Sequence, residues 1–468
     1  MLDEQTRSDA AGFQHNGEAG KLIHGLLGWD KLIPESMAMY QAGRPTFRLA
    51  SKPEPEARLW MLDGFAGGIQ PWWHHVGAEQ EDRRMFQTAE PILHWHAENQ
   101  QYLVNRRPVA TVGLVWSQEN TDFYGRDNPD ELVELPWRGW TNALVRARIP
   151  YLPVHADHIA RDANQFSVLI LPNLAAMSAA QVTAVRRFVE RGGGLVATGE
   201  ASRCNESGEP QSDFALADLF GAHVISADST NRRRATEAQH TYLRLTPELR
   251  ARVYGPKVGD EPVASGERHP ALKGFDETDI LAFGGILEPL RVDSGATVLA
   301  TFIPAFPTMP PEEAWMRQPR TDIPGLIVNE TGDHGRAAFL PADLDRRYGR
   351  DNLPDHGNLL ANLVRWAARD NIPLRIEGAG FVDCHLYQQE NRLILHLVNL
   401  TNAGTWRAPV DELIRIGPLV VRVQLPAGVR GNHVQLLAAK ARTRAAVKNG
   451  WLEFNVPAIL DHEVVVIG

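Results

Sequence analysis

Groups that could bind a sugar or carry a proton are concentrated in one short stretch, residues 32–77. A carboxylate next to a proline, Glu35, lies near its start, and Trp72, Trp73, His74 and His75 lie near its end. An indole can stack on the apolar face of a pyranose ring, and an imidazole can donate hydrogen bonds to hydroxyls. A carboxylate can act as a nucleophile or as an acid. These residue types are those of a carbohydrate site.

The spacing of the four aromatic residues limits how many can serve one site. On a strand, only alternate side chains face the same side. Either Trp72 and His74 or Trp73 and His75 can therefore line a site, and the period leaves both pairs open. For Glu35 the alternative interpretation is a cap or a salt bridge at a strand end.

A metal site would require His74, His75, His94 and His96 to converge, because zinc takes three or four convergent ligands. Adjacent histidines diverge on a strand. His94 and His96 would lie about 200° apart on the helix that is predicted for that stretch. We therefore expect no metal and no cofactor.

The composition is that of a globular protein. The 468 residues allow two to four domains, at about 150 residues each. No apolar run approaches the roughly 18 residues that span a bilayer, so we expect no membrane partner. A net charge of −9 with scattered Lys and Arg predicts no nucleic-acid partner. Without a secretory signal at the N-terminus, the predicted location is cytoplasmic.

The hydrophobic period changes twice along the chain. Residues 1–107 are dense in aromatics and histidines. From Pro108 to about residue 370, strands alternate with helices, which predicts a parallel sheet in a flavodoxin-like, doubly wound α/β domain. From residue 371 onward, short alternating segments separated by Gly, Pro and Asn predict a small antiparallel β-sandwich. The predicted strands are 109–116, 166–171, 195–198, 337–340, 393–398, 420–423 and 452–456, and the predicted helices are 137–147, 182–189 and 359–367.

The middle segment also invites an amidotransferase interpretation, in which a Cys on a tight strand-to-helix turn is served by a His. The turn after residues 195–198 is Gly199-Glu200-Ala201, and Cys204 comes several residues late. We therefore expect no nucleophile there, and we expect Cys204 and Cys384 to be free thiols. The run Gly192 to Gly194 lacks the Lys-Ser/Thr of a phosphate loop and predicts a turn.

Asp343 and Asp345 form a pair of acids after the predicted strand 337–340. Charged residues that follow a strand usually cap the next helix or pair with neighbouring arginines. We expect both to be structural, with Arg346 and Arg347 as partners.

Taken together, these segments resemble the back half of the β-galactosidases of glycoside hydrolase family 42 and their uncharacterised relatives. In that family an (α/β)8 barrel precedes a trimerisation domain with the glutamine-amidotransferase-like fold, and a small β domain follows. The resemblance covers most of the 468 residues. The matching segments are 33–36 (the seventh barrel strand), 58–68 (a Trp-rich helix), 69–73 (the eighth strand), 188–196 and 335–345.

The resemblance implies a domain order and a site. Residues 1–107 would be the C-terminal portion of a TIM-barrel glycosidase-like domain, 108–370 the trimerisation domain, and 371–468 the sandwich. Glu35 would be the nucleophile of a retaining glycosidase, whose second carboxyl lies about 5–5.5 Å away. The substrate-binding residues would be Tyr40, Trp72, Trp73, His74 and His75.

Two functions follow from this resemblance. A complete barrel needs about 250 residues, and only residues 1–107 precede the middle domain. The family's acid/base, an Asn-Glu pair on the fourth strand, has no counterpart upstream of Glu35. The chain is then either part of an enzyme that hydrolyses a β-linked, galactose-containing glycoside, or a non-catalytic oligomerisation and carbohydrate-binding scaffold. We expect these 468 residues alone to hydrolyse no nitrophenyl glycoside detectably.

Assembly is predicted from burial. An incomplete barrel would expose an unpaired strand edge and apolar helix positions such as Leu59, Leu62 and Phe65. A partner copy would cover them. We expect a homo-oligomer, with a trimer favoured by the resemblance and a dimer as the alternative, in which residues 1–107 and 108–370 both make contacts.

Overall fold

The protein is a mixed α/β fold. Its structure, a computed structural model, describes residues 12–36, 49–73, 79, 81–225, 234–235, 240–249, 266–331, 335–401 and 409–468. The chain divides into two compact units. The first unit comprises Met1–Ala110, Arg148–Pro153 and Ile372–Gly468, and the second comprises Thr111–Ala147 and Val154–Asn371. The domain limits 1–107, 108–370 and 371–468 stay a prediction.

The helices of the described residues vary from one turn to more than five turns. They are α1 (Gln14–Leu27), α2 (Glu54–Ala66), α3 (Arg84–Leu103), α4 (Leu135–Arg146), α5 (Ile159–Asp162), α6 (Ala179–Glu190), α7 (Ala217–Phe220), α8 (Leu344–Asp351) and α9 (Pro354–Ala367). No helix in this described part is long and apolar enough to cross a membrane.

The strands are mostly short. In chain order they are β1 (Ile33–Ser36), β2 (Ile69–Trp72), β3 (Arg107–Pro108), β4 (Val112–Trp116), β5 (Tyr151–His155), β6 (Val168–Leu171), β7 (Gly194–Thr198), β8 (Ala222–Val224), β9 (Arg234–Ala235), β10 (Tyr242–Leu245), β11 (Ile280–Ala282), β12 (Ile286–Leu287), β13 (Leu290–Val292), β14 (Thr297–Ile303), β15 (Pro324–Thr331), β16 (Gly335–Leu340), β17 (Leu374–Glu377), β18 (Val382–Gln389), β19 (Arg392–Asn399), β20 (Leu419–Gln424), β21 (Val434–Leu436), β22 (Ala441–Thr443), β23 (Ala445–Lys448), β24 (Trp451–Val456) and β25 (His462–Ile467).

The second unit is built on one large sheet. Its strand order is β11-β10-β14-β15-β16-β7-β6-β4-β5. Of the last strand, β5, only Val154 and His155 belong to this unit. Strands β4, β6, β7 and β16 are parallel. In β7, Leu195 lies between Leu169 of β6 on one side and Ala337 of β16 on the other. The four residues of β6 are fully buried, as expected of a central strand in a sheet covered on both faces.

The parallel sheet predicted for residues 108–370 accounts for only about half of the strands in this sheet. Strands β10, β11, β14 and β15 are antiparallel to their neighbours, so the sheet is mixed. The elements from which the pattern was predicted are confirmed: β4, β6, β7 and β16 and helices α4, α6 and α9 lie where strands and helices were expected.

The first unit contains two antiparallel sheets with one common core. A four-stranded sheet has the order β17-β20-β24-β23, and a six-stranded sheet has the order β22-β21-β25-β19-β18-β3. Alternate residues from both sheets meet in one buried cluster, which includes Leu386 and Leu395 from one sheet and Val421 and Phe454 from the other. The predicted strands at 393–398, 420–423 and 452–456 are confirmed as β19, β20 and β24.

The other face of the six-stranded sheet is also covered. Tyr387 and Ile394 are buried there, and Trp29 and Trp95 pack against this second cluster. Because both faces are covered, β19 is buried along nearly its whole length. A strand that is covered on both faces can carry apolar side chains along its whole length or alternate apolar side chains with polar ones.

Helix α2 belongs to this covered face, and its burial corrects one expectation. Leu59, Leu62 and Phe65 are 0%, 3% and 3% exposed, and α2 contacts β18 and β19 of the same chain. The prediction that these apolar positions would be exposed is therefore wrong, because other elements of the same chain, among them α1, α3, β18 and β19, pack against α2. They provide no reason for a second copy to bind.

Candidate functional site

Glu35 and the tryptophans come together at one edge of a small sheet. Strands β1 and β2 are parallel, with Glu35 opposite Pro71 and Ser36 opposite Trp72. The carboxyl ends of parallel strands meet at the same edge, which is where the sites of α/β folds lie. The backbone thus places a carboxylate-bearing residue and an aromatic strand end side by side.

The two tryptophans differ in exposure. Trp72 is 37% exposed, and Trp73 is half-buried. The indole nitrogen of Trp73 is buried and has no hydrogen-bond partner among the described residues. An exposed indole at a strand end is a group that can stack on a sugar ring. Residues 34–36 are described by their backbone, and the other predicted site residues, Tyr40, His74 and His75, lie outside the described residues.

His94 and His96, the remaining histidines considered as metal ligands, lie in different surroundings on α3. His94 is exposed, with its Nε2 3.8 Å from a Glu90 oxygen. His96 is buried against the ring of Phe65, with centroids 4.8 Å apart. Burial, followed by the charge of Arg106, lowers the pKa of His96 to about 4. The two rings do not converge, as the helical spacing predicted.

A second group of ionisable side chains, which the sequence reasoning missed, lies buried in the first unit. We call it the buried charge cluster. Its members come from α1, α2, β5 and β18, and each is at most 4% exposed: Glu18, Lys21, Asp63, Tyr151, Asp383 and His385.

The positions of these residues follow from the periods of their elements. On β18, Cys384 points into the core between the sheets, so Asp383 and His385, at odd positions, point to the opposite face. On α1, Glu18 and Lys21 are three residues apart and share one face. An Asp-X-His pair on a strand that is buried on both faces was the signal in the sequence from which this cluster could have been inferred.

Glycines let the two helices approach closely enough to form the cluster. The amide nitrogen of Gly17 donates to Asp63 Oδ2 at 2.9 Å. A Cβ atom at Gly17 would lie 2.7 Å from that oxygen, and one at Gly67 would lie 2.2 Å from the backbone oxygen of Gly17. Larger residues would separate α1 from the end of α2 and break the contact with Asp63.

The remaining contacts link Tyr151 to α1. The Tyr151 hydroxyl donates to Glu18 Oε1 at 2.8 Å. The ammonium of Lys21 lies 3.7 Å from the centre of the Tyr151 ring, in cation–π geometry. Glu18 and Lys21 are therefore both held against one phenol ring.

Burial dominates the electrostatics of the cluster. It raises the pKa of Glu18 and, more strongly, that of Asp63, and it lowers the pKa of Lys21 and of His385. Burial alone would also raise the pKa of Asp383, but His385 and Lys21 bring it down to about 2. Three carboxyl groups thus share a buried site with one ammonium group.

Three of these side chains are arranged as metal ligands could be. One ligand atom from each of Asp63, Asp383 and His385 lies within 4.8 Å of the other two. Asp383 Oδ2 and His385 Nε2 are 3.1 Å apart. A set of one imidazole and two carboxylates suits zinc and neighbouring divalent ions.

In the second unit, the carboxyl ends of β6 and β7 are filled by the protein's own side chains. Asn173 follows β6 with a φ of 45°. Its Nδ2 donates to Leu132 O at 2.8 Å, and its Oδ1 accepts from the Glu200 amide at 2.9 Å. The Tyr124 hydroxyl donates to Glu200 Oε2 at 2.6 Å. The cavity that remains beside Asn173 and Glu200 has a volume of about 20 Å³, which is room for one water.

No amidotransferase nucleophile appears on the described turn after β7. Cys204 is 2% exposed, and its amide donates to Ala175 O at 3.0 Å, which places it in a buried connection. Neither Cys204 nor Cys384 is joined in a disulfide, as predicted. The run of glycines before β7 forms a turn.

The paired acids are structural, with one difference from the prediction. Asp343 Oδ2 accepts from Arg346 Nε at 2.6 Å, as expected. Asp345 instead accepts from Trp140 Nε1 at 3.0 Å and from Thr198 Oγ1 at 2.5 Å, while Arg347 pairs with Asp351. Burial raises the pKa of Asp345 to about 7.

Comparisons with known proteins agree on the fold. No protein-family model and no curated protein sequence matches the chain. An α-L-fucosidase, isoenzyme 2 from Paenibacillus thiaminolyticus, matches 100% of this chain with a TM-score of 0.72 at 16% identity. A β-galactosidase from Bacillus circulans sp. alkalophilus matches 99% with a TM-score of 0.66 at 13% identity. Gan42B, a GH42 β-galactosidase from G. stearothermophilus, matches 98% with a TM-score of 0.64 at 15% identity.

These similarities extend over part of the other proteins. The chain covers 64%, 59% and 58% of the three structures, in the same order. At identities this low, structural similarity establishes a fold and leaves the chemistry to the residues. The chain has a glycoside hydrolase-like fold.

Proposed function

We propose that this chain belongs to a glycoside hydrolase-like protein that, in its full length, hydrolyses a β-linked, galactose-containing glycoside with retention of configuration. The observation that carries the proposal is the parallel pairing of β1 with β2, which brings Glu35 and the strand end at Trp72 to one edge. The β-galactosidases among the structural neighbours support the choice of sugar.

The finer architecture is part of the same proposal. Residues 1–107 are the C-terminal portion of an (α/β)8-barrel domain, of which β1 and β2 are the last two strands. Residues 108–370 are a flavodoxin-like, class I amidotransferase-like trimerisation domain, and residues 371–468 are an antiparallel β-sandwich. The parallel half of the large sheet and the core common to the two antiparallel sheets support these assignments.

Glu35 acts as the nucleophile in this proposal. Its carboxylate attacks the anomeric carbon, the bond to the leaving oxygen breaks, and a glycosyl ester forms. A second carboxyl group, about 5–5.5 Å away, protonates the leaving oxygen and then takes a proton from the water that cleaves the ester. Trp72 or Trp73 stacks on the sugar, and Tyr40, His74 and His75 are proposed to contact its hydroxyls.

The test uses the full-length protein and 2,4-dinitrophenyl β-D-galactoside, because dinitrophenolate leaves without a proton and its release needs no general acid. Glu35→Ala should lose activity by at least about 100-fold, the lower end of what a reacting carboxyl contributes. Azide should restore release in that variant, and the product should be the α-galactosyl azide. The matched control is Glu54→Ala, at an exposed carboxylate at the start of α2 that pairs only loosely with Arg58, at 3.8 Å.

The outcomes separate the alternatives. Release from the α-L-fucoside but not from the galactoside would mean that the substrate contains fucose instead of galactose, and would leave the proposed role of Glu35 unchanged. Release that is equal in Glu35→Ala and Glu54→Ala would remove Glu35 from its role. No release from either glycoside by the full-length wild-type protein would contradict the hydrolase.

The second candidate is a non-catalytic oligomerisation and carbohydrate-binding scaffold. The closed hydrogen-bond network around Asn173 and Glu200 favours a structural role for the second unit. In either case we propose a homo-oligomer, with a trimer favoured and a dimer as the alternative, and with neither nucleic acid nor membrane as a partner. Light scattering of the purified chain at micromolar concentration would give the mass. A monodisperse mass of 52.0 kDa would contradict assembly.

A further inference from the structure

We propose that Asp63, Asp383 and His385 of the buried charge cluster bind one divalent metal ion of the zinc class. The site lies in the first unit, away from the strand ends that carry Glu35, and it does not depend on the proposed hydrolase activity. Three observations support it: the convergence of the three ligand atoms, their lack of other partners, and the charge of the site.

The geometry fits a metal ion better than it fits a hydrogen bond. Asp383 Oδ2 and His385 Nε2 are 3.1 Å apart, yet neither atom is in hydrogen-bond geometry with the other. Two ligands of a tetrahedral zinc ion, each about 2.0–2.1 Å from it, are separated by about 3.4 Å. A third ligand atom, from Asp63, lies within 4.8 Å of both. Small side-chain rotations would bring all three to bonding distance.

The three side chains are deeply buried and have unused ligand atoms. Asp63, Asp383 and His385 are 0%, 3% and 4% exposed. Asp63 Oδ1, Asp383 Oδ2 and His385 Nε2 have no hydrogen-bond partner in the part of the chain that the structure describes. Buried polar atoms usually have a partner, so unsatisfied atoms on three neighbouring side chains mark a place where a water or an ion can bind, and the convergence of the three side chains favours an ion.

A bound cation would balance the acids of the site. Glu18, Asp63 and Asp383 would contribute three carboxylates if all were ionised, Lys21 contributes one ammonium, and a neutral His385 contributes none. Ionised in this way, these residues would have an excess of two negative charges, and an uncompensated buried charge is strongly unfavourable. One divalent cation balances it.

A second buried Asp–His pair in the same unit has a different environment from the pair formed by Asp383 and His385. Asp461 and His462 are also an adjacent, buried Asp–His pair, with 3.1 Å between Asp461 Oδ1 and His462 Nδ1. There, however, Arg58 Nε donates to Asp461 Oδ2 at 2.9 Å and supplies the positive charge. The pair at Asp383 has no arginine hydrogen bond among the described residues, although the charges of Lys21 and Arg106 act on it, and a third acid, Asp63, joins it.

The ligand types favour zinc among divalent ions. Imidazole prefers zinc, copper, iron or nickel, whereas magnesium and calcium take oxygen ligands. The ion would join α2, through Asp63, to β18, through Asp383 and His385, and so close a loop of more than 300 residues. We infer that its role is structural, because burial leaves no path for a substrate of any size.

The experiment measures metal directly in the full chain. Protein stripped with a chelator is titrated with Zn²⁺ by calorimetry, and the retained metal is counted by mass spectrometry after gel filtration. Co²⁺ serves as a spectroscopic probe, because its visible absorption reports on bound nitrogen and oxygen ligands. The wild-type chain should retain one Zn²⁺, and Zn²⁺ should raise its melting temperature.

The variants identify the ligands. His385→Gln and Asp63→Asn should each remove one Zn²⁺ equivalent and weaken binding at least about 10-fold, the smallest loss that even an outer-shell substitution causes. His462→Gln is the matched control, because it removes a buried histidine next to an aspartate outside the cluster, and it should retain the ion. Circular dichroism confirms folding.

The contradicting results are equally specific. Zn²⁺ bound equally by the wild-type chain, His385→Gln and Asp63→Asn would mean that surface histidines hold it. No bound Zn²⁺ in the wild-type chain, with an unchanged melting temperature, would mean that two protons, not a metal ion, neutralise the cluster. Either result overturns the proposal.

Discussion

The carboxyl group of Asp345 should make the stability of the protein depend on pH. Asp345 is fully buried between β7 and α4, where Trp140 Nε1 and Thr198 Oγ1 both donate to its Oδ2. Burial, opposed by the hydrogen bond from Thr198, raises its pKa from 3.8 to about 7. The substitution that tests this is Asp345→Asn, which has almost the same shape and no charge at any pH.

The sign follows from which state binds the proton. Between the unfolded pKa and the folded pKa, the folded state keeps the proton of Asp345 and the unfolded state loses it. The contribution of this proton to stability is therefore complete below the unfolded pKa and is lost as the pH rises through about 7. A shift of about three pKa units corresponds to about 4 kcal/mol, at about 1.4 kcal/mol for each unit.

The assay compares urea unfolding of the wild-type chain and Asp345→Asn at several pH values between about 4 and 8. The stability of the wild-type chain relative to the variant should fall by about 4 kcal/mol over this range and level off at its upper end. The constant offset reflects hydrogen bonds that the amide cannot match. Asp322→Asn, at an exposed position, is the control and should follow the wild-type curve. A difference between wild type and Asp345→Asn that does not change with pH would refute the reasoning.

Three further substitutions test the packing of the first unit by chemical denaturation. Leu395→Ala, in the core common to both antiparallel sheets, should cost about 2–5 kcal/mol, and a loss below about 1 kcal/mol would contradict its burial. Gly67→Ala, where a Cβ would lie 2.2 Å from a backbone oxygen, should cost about 1–3 kcal/mol, whereas Gly295→Ala, with open space around it, should cost less. Arg106→Lys should destabilise by at least about 1 kcal/mol, because a single ammonium nitrogen would replace the two guanidinium nitrogens that contact His396 and Phe65 O; equal stability would contradict those contacts.

The sequence was sufficient to predict elements whose apolar residues are regularly spaced. Residues 168–171 are all apolar and lie between turn signals, and they form the central strand β6. Helix α9 was expected from the spacing of Leu359, Leu360 and Leu363, which are all fully buried. Such local patterns are informative because burial on one face or on both faces leaves its period in the sequence.

Long-range packing could not be predicted in the same way. Leu59, Leu62 and Phe65 have the same spacing whether a second copy or another part of the chain covers them, and here elements of the same chain, including the distant strands β18 and β19, pack against α2. The antiparallel strands β10 and β14 were missed because their order in the sheet depends on pairing between residues far apart in the chain. Periodicity reports burial but does not identify the partner.

The two candidate sites also differ in whether the sequence could predict them. Glu35 and Trp72 were found because a family pattern places them near each other in sequence and at neighbouring strand ends. The buried charge cluster combines residues 18, 63 and 383, which no local motif connects. Only the Asp383 to His385 spacing was visible, and on an apolar strand a single Asp-X-His is more often a satisfied pair than a ligand set.

The central claim, that Glu35 is the nucleophile of a retaining glycosidase, is tested most directly by trapping the covalent intermediate. The full-length wild-type protein is incubated with 2,4-dinitrophenyl 2-deoxy-2-fluoro-β-D-galactoside, whose fluorine slows cleavage of the glycosyl ester, and is then analysed by intact mass and peptide mapping. We expect one fluorogalactosyl group per chain, on the peptide that contains Glu35, and no label in Glu35→Gln. A label on another carboxylate, or an unlabelled full-length protein at saturating reagent, would contradict the account.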